Sequence, residues 1–359
     1  MFSIEMLPAN EGDALWVEYG NPDKPSRILI DCGYKSTYRT IMKRLRGKPE
    51  IEFELLVLTH IDGDHIAGAV PFIADGDVTP QRIKEVWFND HKHISDTMGV
   101  RQALYLSRTL EDKQFAWNKR FGERAIHVPE DRLLPPIHLE GGLVITLLSP
   151  TAVQLEALAQ HWEKELDDIL DGKTEEEVTQ TTPGALQPDV LGDPDVNQLA
   201  RTPFKDDTTV PNGSSIAFLA EYEDSHDSQR VKRVLFCGDA HAGVLEHSIS
   251  LLLAERGIDQ LSLDALKVSH HGSKANTSPK MLDLIQCKHF LFSTNGSRHD
   301  HPDPECIARI ITHSNRKIDL HFNYRSEENA PWESPGLARK FKYDAHYPET
   351  GKNGLVVIL

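Results

Sequence analysis

Four side chains that bind cations well, His60, Asp62, Asp64 and His65, fall within six residues. Residues 53–58, Phe-Glu-Leu-Leu-Val-Leu, run directly into them. That run is short and rich in Leu and Val, which predicts a buried strand rather than a surface helix. The four polar residues therefore occupy a loop at a strand end, and Gly63 lets the loop turn tightly. Such loops are where α/β folds place chemistry. Imidazoles and carboxylates crowded this closely repel or desolvate one another unless a cation holds them. The expectation is a sheet strand that ends beside a space able to hold an ion; the alternative is a polar loop with two solvated Asp and two unrelated His.

The sequence His60-Ile61-Asp62-Gly63-Asp64-His65 resembles the His-x-His-x-Asp-His signature of the metallo-β-lactamase superfamily, with Asp62 where the signature has its second His. The His-x-Asp-x-Asp-His form, followed by Ile66-Ala67-Gly68, is similar to the hydrolase domain of the ComEC-type DNA-uptake proteins and their soluble relatives. The resemblance implies an α/β fold, the αββα sandwich of two packed sheets with helices outside and the site at one edge. It also implies a metal-dependent hydrolase.

Further pieces follow in order. Gly12-Asp13-Ala14 opens one strand, and a second, 27–30, runs into Asp31-Cys32-Gly33. In the family that Asp supports the metal site from behind its ligands; Asp31 as a plain turn residue is the alternative. Residues 34–46 mix apolar and basic side chains at helical spacing. Residues 85–88 form another strand, ending near His91 and His93, a pair able to reach a metal or phosphate or simply to sit in solvent. Residues 97–125 carry Leu104, Leu106, Leu110, Phe115, Trp117 and Phe121 among charges, which predicts an amphipathic helix. The strand 143–148 ends at Ser149-Pro150, where many superfamily members have a third His. A charged helix is expected at 153–170. Residues 172–208 lose periodicity and gain Glu, Pro, Gly and Asp, as a long surface excursion would. The chain reads as one domain over 1–359, with a helical cap inserted at 92–136 and a second insertion at 151–209 dividing it into halves.

The second half answers the first. Asn212-Gly213-Ser214-Ser215 precedes a strand at 216–222 and resembles the Asn-x-Ser element of the ComEC-like group. The strand 233–237 ends in Gly238-Asp239-Ala240, and the resemblance makes Asp239 the carboxylate that bridges two metals. The next strand runs into Ser269-His270-His271-Gly272-Ser273-Lys274, close to that group's His-His-Gly-Ser. The last, 290–294, leads to Asn295-Gly296-Ser297-Arg298-His299-Asp300-His301-Pro302.

Asp64, His65 and Asp239 with His270 or His271 make one candidate metal set; His60, Asp62 and Asp239 make a poorer one. Adjacent His residues on an extended segment point to opposite sides, and the sequence alone does not choose between them; His270 is slightly favoured as the ligand and His271 is left for substrate or proton transfer. Asp64 doubles as a catalytic carboxylate. Replacing imidazole by Asp62 and losing the third His leaves oxygen-rich ligation, which suits Mn²⁺ or Mg²⁺; Mn²⁺ is favoured, with Zn²⁺ open, for one or two ions. His301 is the candidate acid for a leaving alkoxide. Ser273, Lys274, Asn212 and Arg298 are candidates to hold substrate, the two cations through phosphate oxygens.

Composition narrows the function. A formal charge of −16 argues against broad binding to nucleic acid, yet a local basic groove can survive an acidic average. No apolar run reaches the roughly 20 residues needed to span a bilayer, and no secretory leader is evident. Four cysteines without Cys-x-x-Cys spacing read as buried thiols of a cytoplasmic protein. The leading expectation is a phosphodiesterase or nuclease acting on DNA or nucleotides. A hydrolase of a small ester, lactone or cyclic nucleotide is the alternative, and a non-catalytic subunit of a larger complex a further one. A partner protein could supply substrate recognition.

Overall fold

The computed structural model describes residues 1–90, 101–170, 193–223 and 231–359. The strands are β1 (Phe2–Met6), β2 (Leu15–Asn21), β3 (Lys24–Ile30), β4 (Leu55–Leu58), β5 (Val86–Phe88), β6 (Ile137–His138), β7 (Leu143–Ser149), β8 (Ala217–Glu223), β9 (Val231–Phe236), β10 (Leu261–Lys267), β11 (Ile285–Phe292), β12 (Ile318–Phe322), β13 (Tyr343–His346) and β14 (Leu355–Ile358). They make two mixed sheets. The first has the order β14-β1-β2-β3-β4-β5, and the second runs in order from β13 to β6.

The sheets face each other across an apolar layer that includes Ile4, Val17, Tyr19, Val57, Trp87, Phe218, Phe236 and Leu291. On the outer face of the first sheet, helices Lys35–Leu45, Ala69–Ala74 and Arg101–Asp112 bury Ile41, Met42, Phe72, Leu106 and Leu110 against Leu56, Leu58 and Phe88. On the outer face of the second, helices Ala242–Arg256, Pro304–His313 and Pro335–Phe341 bury Leu245, Ile249, Ile307, Ile310 and Leu337 against Leu235, Leu266, Phe290 and Leu320. This is the expected αββα sandwich. β4, covered on both faces, reads as a continuous apolar run with all four residues buried.

Three expectations need correction. The helix expected at 97–125 spans Arg101–Asp112 among the described residues. Gln114 turns through a left-handed conformation, and Trp117 then bridges to Val86 of β5, so Phe115 and Trp117 are buried by strand-like pairing rather than on a helix. The boundary between the sheets falls between β5 and β6, not within 151–209: β7 and β8, which flank that insertion, are antiparallel neighbours in one sheet. The end of the acidic excursion is packed. Helix Val196–Ala200 lies against helix Pro304–His313, Val196 is buried, and Arg309 donates to the Thr202 carbonyl. Residues 171–192, like His91 and His93, lie outside the described residues.

β3, β4 and β5 are parallel, as are β9 to β13. The C-terminal ends of β3, β4, β9, β10 and β11 open at one edge of the sandwich, where Asp31, the 59–65 loop, Asp239 and the His pair meet.

Candidate metal centre

Asp239, just past β9, stands at the middle. Its Oδ2 lies 3.4 Å from His65 Nε2, 3.5 Å from His271 Nε2, 3.9 Å from His60 Nε2 and 3.9 Å from His270 Nε2. Asp64 Oδ2 is 3.3 Å from His271 Nε2 and 3.7 Å from His65 Nε2. Asp62 Oδ2 is 3.5 Å from His60 Nε2, and its side chain is the most exposed of the set. Every metal ligand expected from the sequence thus reaches one small volume.

The far side of each ring explains why all four Nε2 atoms point inward. Asp31, buried and in a left-handed conformation, accepts from the Thr59 amide (2.8 Å) and the Thr59 hydroxyl (2.8 Å), and its Oδ2 also lies 2.8 Å from His65 Nδ1. With its proton given to Asp31, the Thr59 hydroxyl can accept from His60 Nδ1 at 3.0 Å. His271 Nδ1 donates to the Ser293 carbonyl at 2.9 Å, and His270 Nδ1 lies 3.0 Å from Asn276 Oδ1. Each bond holds the proton on Nδ1 and leaves the Nε2 lone pair facing Asp239. Asp31 thus lies on the side of the His65 ring away from Asp239, bonded to Nδ1.

The pair His270–His271 does not behave as an extended segment. Both residues have positive φ, 46° and 55°, so the chain turns at each and both rings face Asp239. His271 belongs to the tight buried group with Asp13, His65 and Asp239, whose donor atoms all lie within 4.8 Å of one another. His270 stands slightly farther out, beside Asp207 and Asn212. The expectation that only one of the two faces the metal rested on strand alternation, which these two left-handed residues abolish.

Other expected residues take more varied places. Asn212 is buried and donates to Asp207 Oδ2 at 2.7 Å, and that carboxylate lies 3.5 Å from His270 Nδ1, so Asn212 acts on His270 through Asp207. Ser273 is buried; its amide donates to the His270 carbonyl and its hydroxyl accepts from the Ala275 amide. Lys274 is directed at Asp303 (3.7 Å) and Glu305 (3.6 Å). Arg298 is exposed and donates to the Tyr34 hydroxyl at 3.2 Å. His301 packs edge-on against His270, with ring centroids 5.3 Å apart. Ser149 is buried at the end of β7, its hydroxyl without a hydrogen-bond partner.

Four contributors escaped the sequence reading as site residues: Asp13, Lys267, Asp207 and Asn276. Asp13 and Lys267 form a buried ion pair at 2.6 Å, and Asp13 Oδ1 lies 3.5 Å from His271 Nδ1. A lysine at the end of β10, two residues before Ser269 and the His pair, was the available signal. Asp207 meets His270 from a loop remote in sequence, and Asn276 reaches back from six residues downstream; nothing in their local sequence marks either.

The electrostatics call for positive charge. Burial would raise Asp239 and Asp64, yet the surrounding imidazoles hold both well below the usual carboxylate range. Burial opposes charging His271, but Asp239 and Asp13 push it up to about 10. Asp13 is drawn down to about 2, against its burial, by Lys267 and His271. Meanwhile His60 Nε2 and Asp239 Oδ1 are buried with no hydrogen-bond partner. Inward lone pairs, clustered carboxylates and orphaned donor atoms are what a divalent cation satisfies. Asp64, His65, Asp239 and His271 would hold one ion. His60, Asp62 and Asp239 could hold another, with fewer donors.

Residues 14–197, just over half of the chain, match the family model described as Metallo-beta-lactamase superfamily. No curated protein matches the chain.

Proposed function

Because this chain belongs to the metallo-beta-lactamase superfamily, whose members are typically metal-dependent hydrolases, we propose that it hydrolyses phosphodiesters with Mn²⁺ as its preferred ion. The observation that carries this reading is the oxygen-rich donor set: Asp64 and Asp239 converge on His65 and His271, and Asp62 replaces an imidazole beside His60. Such a set suits Mn²⁺ or Mg²⁺ better than an all-imidazole site would. The likeness of its motifs to the ComEC-type hydrolase domain points the same way.

A bound divalent ion would lower the pKa of a water and polarise a phosphoryl oxygen. The chain's own groups do the rest. Asp31, Ser293 and Asn276 hold the Nδ1 protons of His65, His271 and His270, so the rings need not turn when the site fills and only protons on Nε2 are released. The Lys267–Asp13 pair places fixed charge behind His271. Arg298 stands at the rim with Tyr34, whose phenol burial and the Asp64 charge push up to about 12. A guanidinium there can take a phosphate oxygen. His301 differs from a charged acid: burial, with His270 and His271 beside it, holds it well below the usual imidazole range. It is neutral at pH 7 and suited to donate a hydrogen bond to the leaving oxygen rather than to act as the charged acid expected from the sequence.

The net charge of −16 and the acidic groups Glu11 and Asp62 near the mouth favour a nucleotide or short diester over long DNA. The test is hydrolysis of bis-p-nitrophenyl phosphate and of linear DNA with Mn²⁺, Mg²⁺ or Zn²⁺, using Asp64→Ala as control. Mn²⁺-dependent cleavage of both, lost in the variant, supports a nuclease. Cleavage of the small diester alone assigns a small-molecule phosphodiesterase. Cleavage of neither by the metal-loaded protein overturns the phosphodiester reading and leaves a carboxylic ester or lactone as the substrate class.

A further inference from the structure

The face of the second sheet that looks toward the first is apolar along most of its length, with Ala265 of β10 and Leu291 of β11 in the inter-sheet core. Beyond β11 its character changes. Ile318, Leu320, Phe322 and Tyr343 pack into the outer, helix-covered core, so their alternates Asp319, His321, Asp344 and His346 take the inward side. Parallel register sets them in two rows. His289, Asp319 and Asp344 are successive neighbours across β11, β12 and β13; Leu291, His321 and His346 form the next row.

These side chains touch one another. His346 Nε2 lies 2.9 Å from Asp319 Oδ1, and His289 Nδ1 lies 3.3 Å from Asp319 Oδ2 and 3.0 Å from His321 Nε2. The His321 and His346 rings stack with centroids 4.6 Å apart and planes 12° from parallel. Donor atoms of Asp319, Asp344 and His346 all fall within 4.8 Å of one another. A cavity of about 670 Å³ borders them, with His321, Asp344, His346, Arg325 and Leu355 in its wall. Burial, with His346 and His289 alongside, pushes His321 down to about 3, so it is a neutral ring. Lys317 pairs with Asp344 from the exposed side.

We propose that Asp319, Asp344 and His346 form a second divalent-metal site, with His321 and His289 beside it, remote from the centre around Asp239. Mixed carboxylate and imidazole donors on a half-exposed surface suit a borderline ion, Zn²⁺ or Ni²⁺, better than Mg²⁺. Ligation through His346 Nε2 places its proton on Nδ1. The ion would tie β12 to β13, the edge strand of this sheet, and would displace Lys317 from Asp344.

The test measures Zn²⁺ per chain by mass spectrometry after equilibrium dialysis of the full-length, tag-free protein against buffered Zn²⁺. Wild type, His346→Ala, Lys317→Ala and Asp239→Asn are compared, with circular dichroism to confirm folding. One equivalent should weaken by at least about tenfold in His346→Ala, persist in Asp239→Asn, and bind more tightly in Lys317→Ala because a competing cation is removed. Equal Zn²⁺ binding by wild type and His346→Ala overturns the proposal, as does loss of all Zn²⁺ in Asp239→Asn. Unchanged affinity in Lys317→Ala removes Asp344 as a ligand and overturns the site as drawn.

Discussion

Asp31 shows how much one side chain behind a site can decide. It accepts from Thr59 twice and holds His65 Nδ1. Asp31→Asn keeps a residue that tolerates positive φ but removes the carboxylate that fixes the His65 tautomer. Mn²⁺ affinity should fall by about 10–100-fold with the fold intact, read by isothermal titration calorimetry; unchanged affinity would make Asp31 a turn residue. Gly12 acts through space rather than charge. A Cβ there would lie 1.9 Å from the Asp64 carbonyl oxygen, a backbone atom that cannot swing aside. Gly12→Ala should destabilise by about 1–3 kcal/mol and displace Asp64, seen as a lower urea midpoint together with weaker Mn²⁺ binding.

Among elements, the pairing of β8, β9 and helix Ala242–Arg256 depends on Glu221. Its carboxylate takes Arg233 Nε at 2.9 Å and both terminal nitrogens of Arg256. Burial alone would raise its pKa, but the bonds from Arg256 and Arg233 hold it below the usual range. A depressed folded-state pKa stabilises above the unfolded value of about 4.3 and is lost as pH falls through the folded value. Glu221→Gln should therefore cost about 1.5–3 kcal/mol at pH 7, with the gap from wild type closing toward pH 3. Urea unfolding at the two pH values reads it, and an equal gap at both would separate the effect from charge.

At the scale of the molecule, the metal centre joins the sheets. His60 and His65 follow β4 of the first sheet, while Asp239 and His271 follow β9 and β10 of the second. An ion bound there stabilises the native state alone. At a hundredfold excess over Kd, Mn²⁺ should add about 2.7 kcal/mol, raising Tm in a calorimeter, and Asp239→Asn should abolish the rise. A Tm indifferent to both Mn²⁺ and chelator would show that the centre does not hold the ion.

Much of this architecture is written locally. The run into β4 and the strands 217–223 and 143–149 are periodic or continuously apolar, so their side chains announce their burial. His60, Asp62, Asp64, His65 and Asp239 sit immediately after such strands, and a strand end fixes its loop at the sheet edge whatever surrounds it. All four cysteines are free and buried, as their apolar settings suggested, and no described helix is long and apolar enough to cross a membrane. Tertiary structure decided what depends on meeting a distant partner. It turned His270 and His271 through left-handed conformations, so both rings face one carboxylate. It drew Asp207 to His270 and buried Lys267 against Asp13. It also returned β14 to the first sheet, beside β1, and brought Asp319, Asp344 and His346 side by side on β12 and β13. Sequence encodes each strand's own periodicity and its terminal residues; which ends converge depends on how the sheets pack, and that is a long-range free energy no local window contains.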